Sequence, residues 1–220
     1  METDSCQQKD YEYKEDSSMR NYENFDRYLN ILQGDIYLQP EDSGHSQLAK
    51  KVIDNWMSKM TTCTSVLDVG CGTGFCQPLF ESWNVSYEGV CLGDDFLQAQ
   101  QNNRNVKKMD YTFLSYPDDY VDLVFSRHSL EHSPFPLISL MEWARVSKNW
   151  LGIVLPAPEW YGYKGKNHYS VMTLEQVKVV LDRAGWYVIW EQIDNIPFEE
   201  NKPETIRPHE IWLMCEKKRG

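Results

Sequence analysis

The sequence predicts an α/β fold: an open, mostly parallel sheet with helices on both faces. Three observations carry that expectation. Val66-Leu67-Asp68-Val69 is a short, mainly apolar run leading straight into Gly70-Cys71-Gly72-Thr73-Gly74, which reads as a buried strand breaking into a tight turn. Further short apolar runs alternate with segments of helical period, the pattern of strands joined by crossover helices. No internal repeat interrupts the alternation.

Each element follows from its own pattern. Residues 1–20 are rich in charge and poor in aliphatic side chains, so disorder or only local order is expected there. Phe25, Tyr28, Leu29 and Leu32 fall at helical spacing and predict a short helix within Tyr22–Leu38. Gln39 to Gly44 reads as a loop, and Leu48, Val52, Ile53 and Trp56 mark one face of a helix over 45–59. The first strand is Ser65–Val69, and a helix is expected over 75–83. Ser86–Leu92 reads as the second strand, with Gly93-Asp94-Asp95 opening the next helix. A weaker third strand covers 105–109, and Val121–Phe125 is a clear fourth. A helix over 134–148 has proline suitably near its start, and Trp150–Leu155 is a fifth strand. After an irregular, aromatic stretch over 156–170, Thr173 is placed to cap a helix that Gly185 ends. Trp186–Ile193 and His209–Glu216 read as the last two strands.

Composition narrows the function. A chain of 220 residues with 41% hydrophobic and 25% charged side chains suits one good-sized globular domain. No apolar run approaches the roughly 20 residues a membrane span needs, and the polar N-terminus does not resemble a secretory signal. Cys6, Cys63, Cys71, Cys76, Cys91 and Cys215 form no Cys-x-x-Cys, and no His/Cys cluster has zinc spacing. They are expected to be reduced packing residues of a cytoplasmic protein, with no metal site. The net charge is −11, and residues 1–44 hold eleven acids against four bases, leaving 22 acids and 18 bases for the rest. Acidity therefore belongs chiefly to residues 1–44, an extension expected to be partly disordered or lid-like, while 45–220 form the domain. A long phosphate-backbone interface needs excess Lys and Arg, so nucleic acid is disfavoured as a partner.

The glycine turn decides the ligand class. A dinucleotide turn spaces its glycines G-x-G-x-x-G and sets a pyrophosphate on a helix N-terminus. Here the spacing is G-x-G-x-G, with Asp68 two residues ahead of Gly70. A carboxylate there repels pyrophosphate but can hold an ammonium or sulfonium group. This pattern resembles the first motif of class I S-adenosylmethionine-dependent methyltransferases. Glu142-Trp143-Ala144-Arg145-Val146 followed by Trp150–Val154 resembles their type 11 methyltransferase domain subgroup, met as small stand-alone proteins including in phage genomes. The resemblance covers about residues 45–216. It implies a Rossmann-like, doubly wound, seven-stranded sheet with one antiparallel strand, and S-adenosylmethionine as cofactor.

Further residues follow by position within that resemblance. Asp68, Gly70, Cys71, Gly72 and Gly74 form the turn site. The acid that usually meets the ribose hydroxyls falls on Cys91, a departure from the pattern, so Asp94, Asp95 or backbone near Leu92 is left to take that contact. Asp110 would accept from the adenine amine with Tyr111 near the ring, and Ser126 and Arg127 would line the methionine end. His128 and His168 are the candidate catalytic bases, and His132 reads as an anchor for the next helix. The aromatics of Pro158–Tyr169 suit a cover over an acceptor. The expected reaction is methyl transfer to an O or N atom of a small molecule. A nucleic-acid or protein methyltransferase and a non-catalytic cofactor-binding scaffold remain the rivals, and a nicotinamide dehydrogenase is disfavoured by the glycine spacing.

Overall fold

The structure, a computed structural model, describes residues 22–35, 44–158, 167–195 and 209–219. The expectations for residues 1–20, for the loop over 39–43 and for Trp160, Tyr161 and Tyr163 of the aromatic cover fall outside those ranges. The elements are α1 (Tyr22–Asp35), α2 (Gly44–Met57), β1 (Ser65–Val69), α3 (Gln77–Glu81), β2 (Ser86–Cys91), α4 (Asp95–Gln101), β3 (Val106–Lys108), β4 (Val121–Arg127), α5 (Pro136–Val146), β5 (Ser147–Pro156), α6 (Leu174–Arg183), β6 (Trp186–Asn195) and β7 (His209–Lys217). The seven strands form one sheet in the order β3-β2-β1-β4-β5-β7-β6. β1 pairs in parallel with β2 and β4, β4 with β5, and β7 runs antiparallel to both β5 and β6. The expected seven-stranded sheet with one antiparallel strand is what the chain forms. No helix among the described residues is long and apolar enough to cross a membrane.

Side-chain alternation along the strands builds two cores. Leu67, Val69, Val124, Leu151 and Ile153 face Leu140 and Trp143 of α5 and Val177 and Leu181 of α6. Val66, Leu123, Phe125, Val154 and Trp212 face the other way, against Val52, Ile53 and Trp56 of α2 and Phe80 of α3. The predicted face of α2 is therefore the buried one. Trp56 lies so close to β5 that a Cβ on Gly152 would meet its Cζ3 at 2.4 Å. Only glycine lets that indole come so close to the strand.

Local chemistry sets the boundaries. α3 starts at Gln77, later than its apolar pattern predicts, because the glycine turn continues through successive bends and Pro78 occupies the first helical turn. α6 starts under a capping box: Thr173 accepts from the Gln176 backbone while the Gln176 side chain accepts from the Thr173 backbone. Glu142 and Arg145 do tie elements together, but not helix to sheet. Arg145 donates to Glu142, to the Leu114 and Tyr116 carbonyls and to Asp118, so it fastens α5 to the segment between β3 and β4. At the opposite end from the glycine turn, buried Asp122 accepts from the Thr64 and Ser65 backbones and the Thr64 hydroxyl, which locks β1 to β4.

Candidate functional site

The topology places one crevice. β1 has β2 on one side and β4 on the other, and the chain order reverses between β1 and β4. Ligands of open α/β sheets bind at the carboxyl ends of the strands beside such a switch point. The glycine turn follows β1 there, and Ser126–Ser129 ends β4 there.

The turn is held in a form that only glycine adopts readily. Gly70, Gly72 and Gly74 have φ of +71°, +57° and +71°. The Gly70 and Cys71 amides both donate to the Val90 carbonyl, at 2.9 and 3.1 Å, which pins the turn to β2. A Cβ on Gly70 would lie 2.2 Å from Ser129 Oγ, so the turn and the end of β4 are in direct contact. Asp68 is 2% exposed, and its Oδ2 accepts from the Tyr87 hydroxyl at 2.9 Å. Burial pushes its carboxyl up to about 7, against the lowering pull of Tyr87, Arg127 and Cys76.

At the end of β2, Cys91 packs with Cys71, Ala99 and Val106 in a small buried cluster, which gives it a packing role. Leu92 is half-buried and Asp94 is exposed. Asp95 is buried, and its Oδ1 has no hydrogen-bond partner among the described residues. Burial also raises the Asp95 pKa. Its Oδ2 lies 3.6 Å from where a Gly72 Cβ would stand, so the carboxylate borders the turn. Of the two acids left open by sequence, Asp95 is the one buried against the turn with an unpartnered oxygen among the described residues.

At the end of β3, Asp110 accepts from the Thr112 amide at 2.9 Å and from the Tyr28 hydroxyl at 3.3 Å. Tyr28 belongs to α1 and its ring also lies 5.7 Å from that of Phe135, so the N-terminal helix reaches the edge of the crevice. Tyr111 donates to the Ser129 carbonyl at 2.8 Å and packs edge-on against Trp143. The Ser126 hydroxyl is fully buried and has no hydrogen-bond partner among the described residues.

Beyond Ser126 lies a network of buried ions. Arg127 pairs with Glu210 at 3.0 Å, and His128 places Nε2 2.6 Å from Glu210 and Nδ1 3.3 Å from Glu131. The Trp212 indole donates to the other Glu210 oxygen at 2.8 Å. His128 stands at φ +51°, a left-handed conformation costing about 1–2 kcal/mol in a non-glycine residue. Burial opposes charge on His128, but the hydrogen bonds to Glu131 and Glu210 outweigh it and raise its pKa. Glu210 is lowered to about 2: burial acts upward, and His128, Arg127 and Trp212 overcome it. Two carboxylates, a guanidinium and an imidazolium balance in charge, as buried ions must. Both nitrogens of His128, a candidate base by sequence, thus face carboxylates.

His168 borders that network through Glu131 and His132. Its ring meets His132 edge-on at 4.8 Å, its Nδ1 is buried without a hydrogen-bond partner among the described residues, and burial lowers its pKa. Sequence spacing gives no metal cluster, yet folding brings Glu131, His132 and His168 together. Glu210 also escapes the sequence reading; the signal is a carboxylate set directly before the apolar run Ile211–Cys215.

The residues present fit a cationic nucleoside ligand. Asp68 offers a buried carboxylate, the glycines leave open the cradle that Cβ atoms would fill, and Asp95 Oδ1 and Ser126 Oγ are buried polar atoms in want of partners. Comparison with known proteins agrees. Residues 67–150 match the Methyltransferase domain family known as Methyltransf_11. No curated protein matches the chain significantly. Among solved structures the chain is similar to a SAM-dependent methyltransferase from Archaeoglobus fulgidus, at 22% identity and TM-score 0.62, covering 78% of this chain and 94% of that one. It is also similar to magnesium protoporphyrin IX methyltransferase from Synechocystis PCC 6803 with bound SAH, at 17% identity and TM-score 0.63, covering 90% and 95%. The [4+2]-cyclase SpnF is similar too, at 17% identity and TM-score 0.62, covering 90% and 94%. At such identities the structural likeness speaks for the fold alone.

Proposed function

We propose that the chain is a class I S-adenosylmethionine-dependent methyltransferase that methylates an O or N atom of a small-molecule acceptor. The observation that supports the acceptor class is the docking of α1: Tyr28 reaches Asp110 and Phe135, so the helix covers that edge of the crevice. The near balance of charge outside residues 1–44, 22 acids against 18 bases, supports it by giving no excess of cations for a phosphate backbone. Five buried, unpaired cysteines among the described residues suit a reducing cytoplasm, where we place the chain.

When bound, S-adenosylmethionine supplies a methyl group on a sulfonium, already a strong electrophile. The protein's residues then have to bind, align and exclude water. In this reading Asp68 faces the cationic methionine end, Asp95 takes the ribose hydroxyls in place of the usual strand-end acid, and Asp110 takes the adenine amine. Leu92, Tyr111 and Ser126 border the ligand, and Arg127 and His128 hold the end of β4 in place through Glu210. No step requires His128 as a base.

The test is an SAH-release assay on the full chain with S-adenosylmethionine, run against fractionated metabolites and against RNA, DNA and protein pools. Release only with a small-molecule fraction is the expected result. Release with a macromolecular pool alone overturns the acceptor class. Because one fold hosts unrelated chemistries, SAH release and not mere binding is the deciding readout.

A further inference from the structure

We infer that Glu131, His132 and His168 form a binding site for one divalent first-row transition-metal ion. One donor atom from each residue lies within 4.8 Å of the others. Donors about 2.1 Å from a metal stand roughly 3–4 Å apart, so closing the cluster takes side-chain movements of about an ångström. Two imidazoles and a carboxylate are a ligand set that zinc, iron and cobalt accept, with coordination positions left open.

Two independent observations point to a missing ligand. Glu131 is 2% exposed, and its Oε2 has no hydrogen-bond partner among the described residues although Oε1 faces His128 at 3.3 Å. His168 Nδ1 is likewise buried without a hydrogen-bond partner among them. A buried carboxylate oxygen and a buried imidazole nitrogen left so carry an uncompensated desolvation cost, which calls for an occupant. The tautomer of His132 is set as well. Its Nδ1 lies 3.0 Å from the Asn167 carbonyl, which can only accept, so Nδ1 carries a proton and Nε2 is the nitrogen left to ligate. That Nε2 is 3.9 Å from Glu131 Oε1.

The backbone holds these side chains in register. The Ser170 amide donates to the Glu131 carbonyl at 2.9 Å, and the Ser170 hydroxyl donates to the Ser133 carbonyl. The segment carrying His168 is thereby fixed on the short 3₁₀ turn Leu130–His132 that carries the other two ligands. The cluster follows the end of β4 by a few residues, beside Ser126–His128. An ion there can take an oxygen donor of the acceptor in an open position and lower its pKa as a Lewis acid. That last role rests on the methyl-transfer reading above, whereas binding of the ion does not.

The test uses the full chain stripped with chelator, titrated calorimetrically with Zn²⁺ and spectroscopically with Co²⁺. Expected are one ion per chain at micromolar or tighter Kd, visible Co²⁺ bands of a low-symmetry N/O site, and a raised Tm with metal. His168→Ala and His132→Ala each weaken binding by at least about tenfold, while the exposed control Glu175→Gln leaves it unchanged. Glu131→Gln does the same as the histidine variants, and should it fail to fold, the two histidine variants decide. No binding at submillimolar metal, or wild-type affinity in both histidine variants, overturns the site and leaves a bridging water as the occupant. Intact metal binding with no methyl transfer to any small-molecule fraction would refute the acceptor reading instead.

Discussion

Removing the charge of Asp68 gives the sharpest test of the cofactor end. In the free protein its carboxyl is pushed up to about 7 by burial. A sulfonium or ammonium ligand favours the ionised form, so binding must pay to deprotonate the acid at low pH. The affinity for S-adenosylmethionine should therefore plateau above about pH 7 and fall by up to tenfold per unit below it. At pH 5.5 that amounts to on the order of 30-fold, or about 2 kcal/mol. Asp68→Asn keeps the shape and loses the titration, so its Kd should be weaker at pH 8 and nearly flat from pH 5.5 to 7. Stability moves the other way. A folded pKa raised above the unfolded value contributes stability that is full below the unfolded pKa and lost as pH rises through the folded one. The shift of about three units from 3.8 sets an upper bound on the order of 4 kcal/mol for this loss. Ligand-free Asp68→Asn should thus melt higher than wild type at pH 8 while binding less well. Calorimetric titration across pH and thermal melts of both proteins provide the readout. A wild-type Kd independent of pH over this range, or undiminished affinity in Asp68→Asn, would refute the assignment of Asp68 to the cationic end.

Other expectations rest on packing and pairing. Glu210→Ala leaves Arg127 and His128 buried without their shared carboxylate and should cost about 3–5 kcal/mol in urea unfolding; a loss under 1 kcal/mol would mean the network is not formed. Gly152→Ala drives a Cβ into the Trp56 indole at 2.4 Å and should cost about 1–3 kcal/mol, a loss that Trp56→Leu in the same background should partly relieve. Tyr28→Phe removes the hydrogen bond that holds α1 on Asp110, worth about 0.5–1.5 kcal/mol. Amides of 22–35 should then exchange faster with solvent, and unchanged exchange would show that α1 is held by other contacts.

Periodicity and turn chemistry are local, and they made most of the architecture legible. The apolar run before Gly70, the helical stripe Leu48-Val52-Ile53-Trp56 and the Thr173 cap each state their structure within a few residues. The same locality limits the reading of the site. Asp94 and Asp95 look alike in sequence, and only the course of α4 buries one and exposes the other. His128 reads as a possible base until folding sets Glu131 and Glu210 on its two nitrogens.

By itself, the sequence determined the fold class, the glycine turn with its carboxylate, and through them the kind of cofactor, because strand, turn and acid are contiguous. The tertiary structure alone decided the partners that arrive from afar. Tyr28 meets Asp110 across 82 residues, Glu210 meets His128 across 82, and His168 meets Glu131 and His132 from beyond β5. Such pairs carry no spacing signature, since the sheet order, and not the distance along the chain, brings their strand ends to one edge.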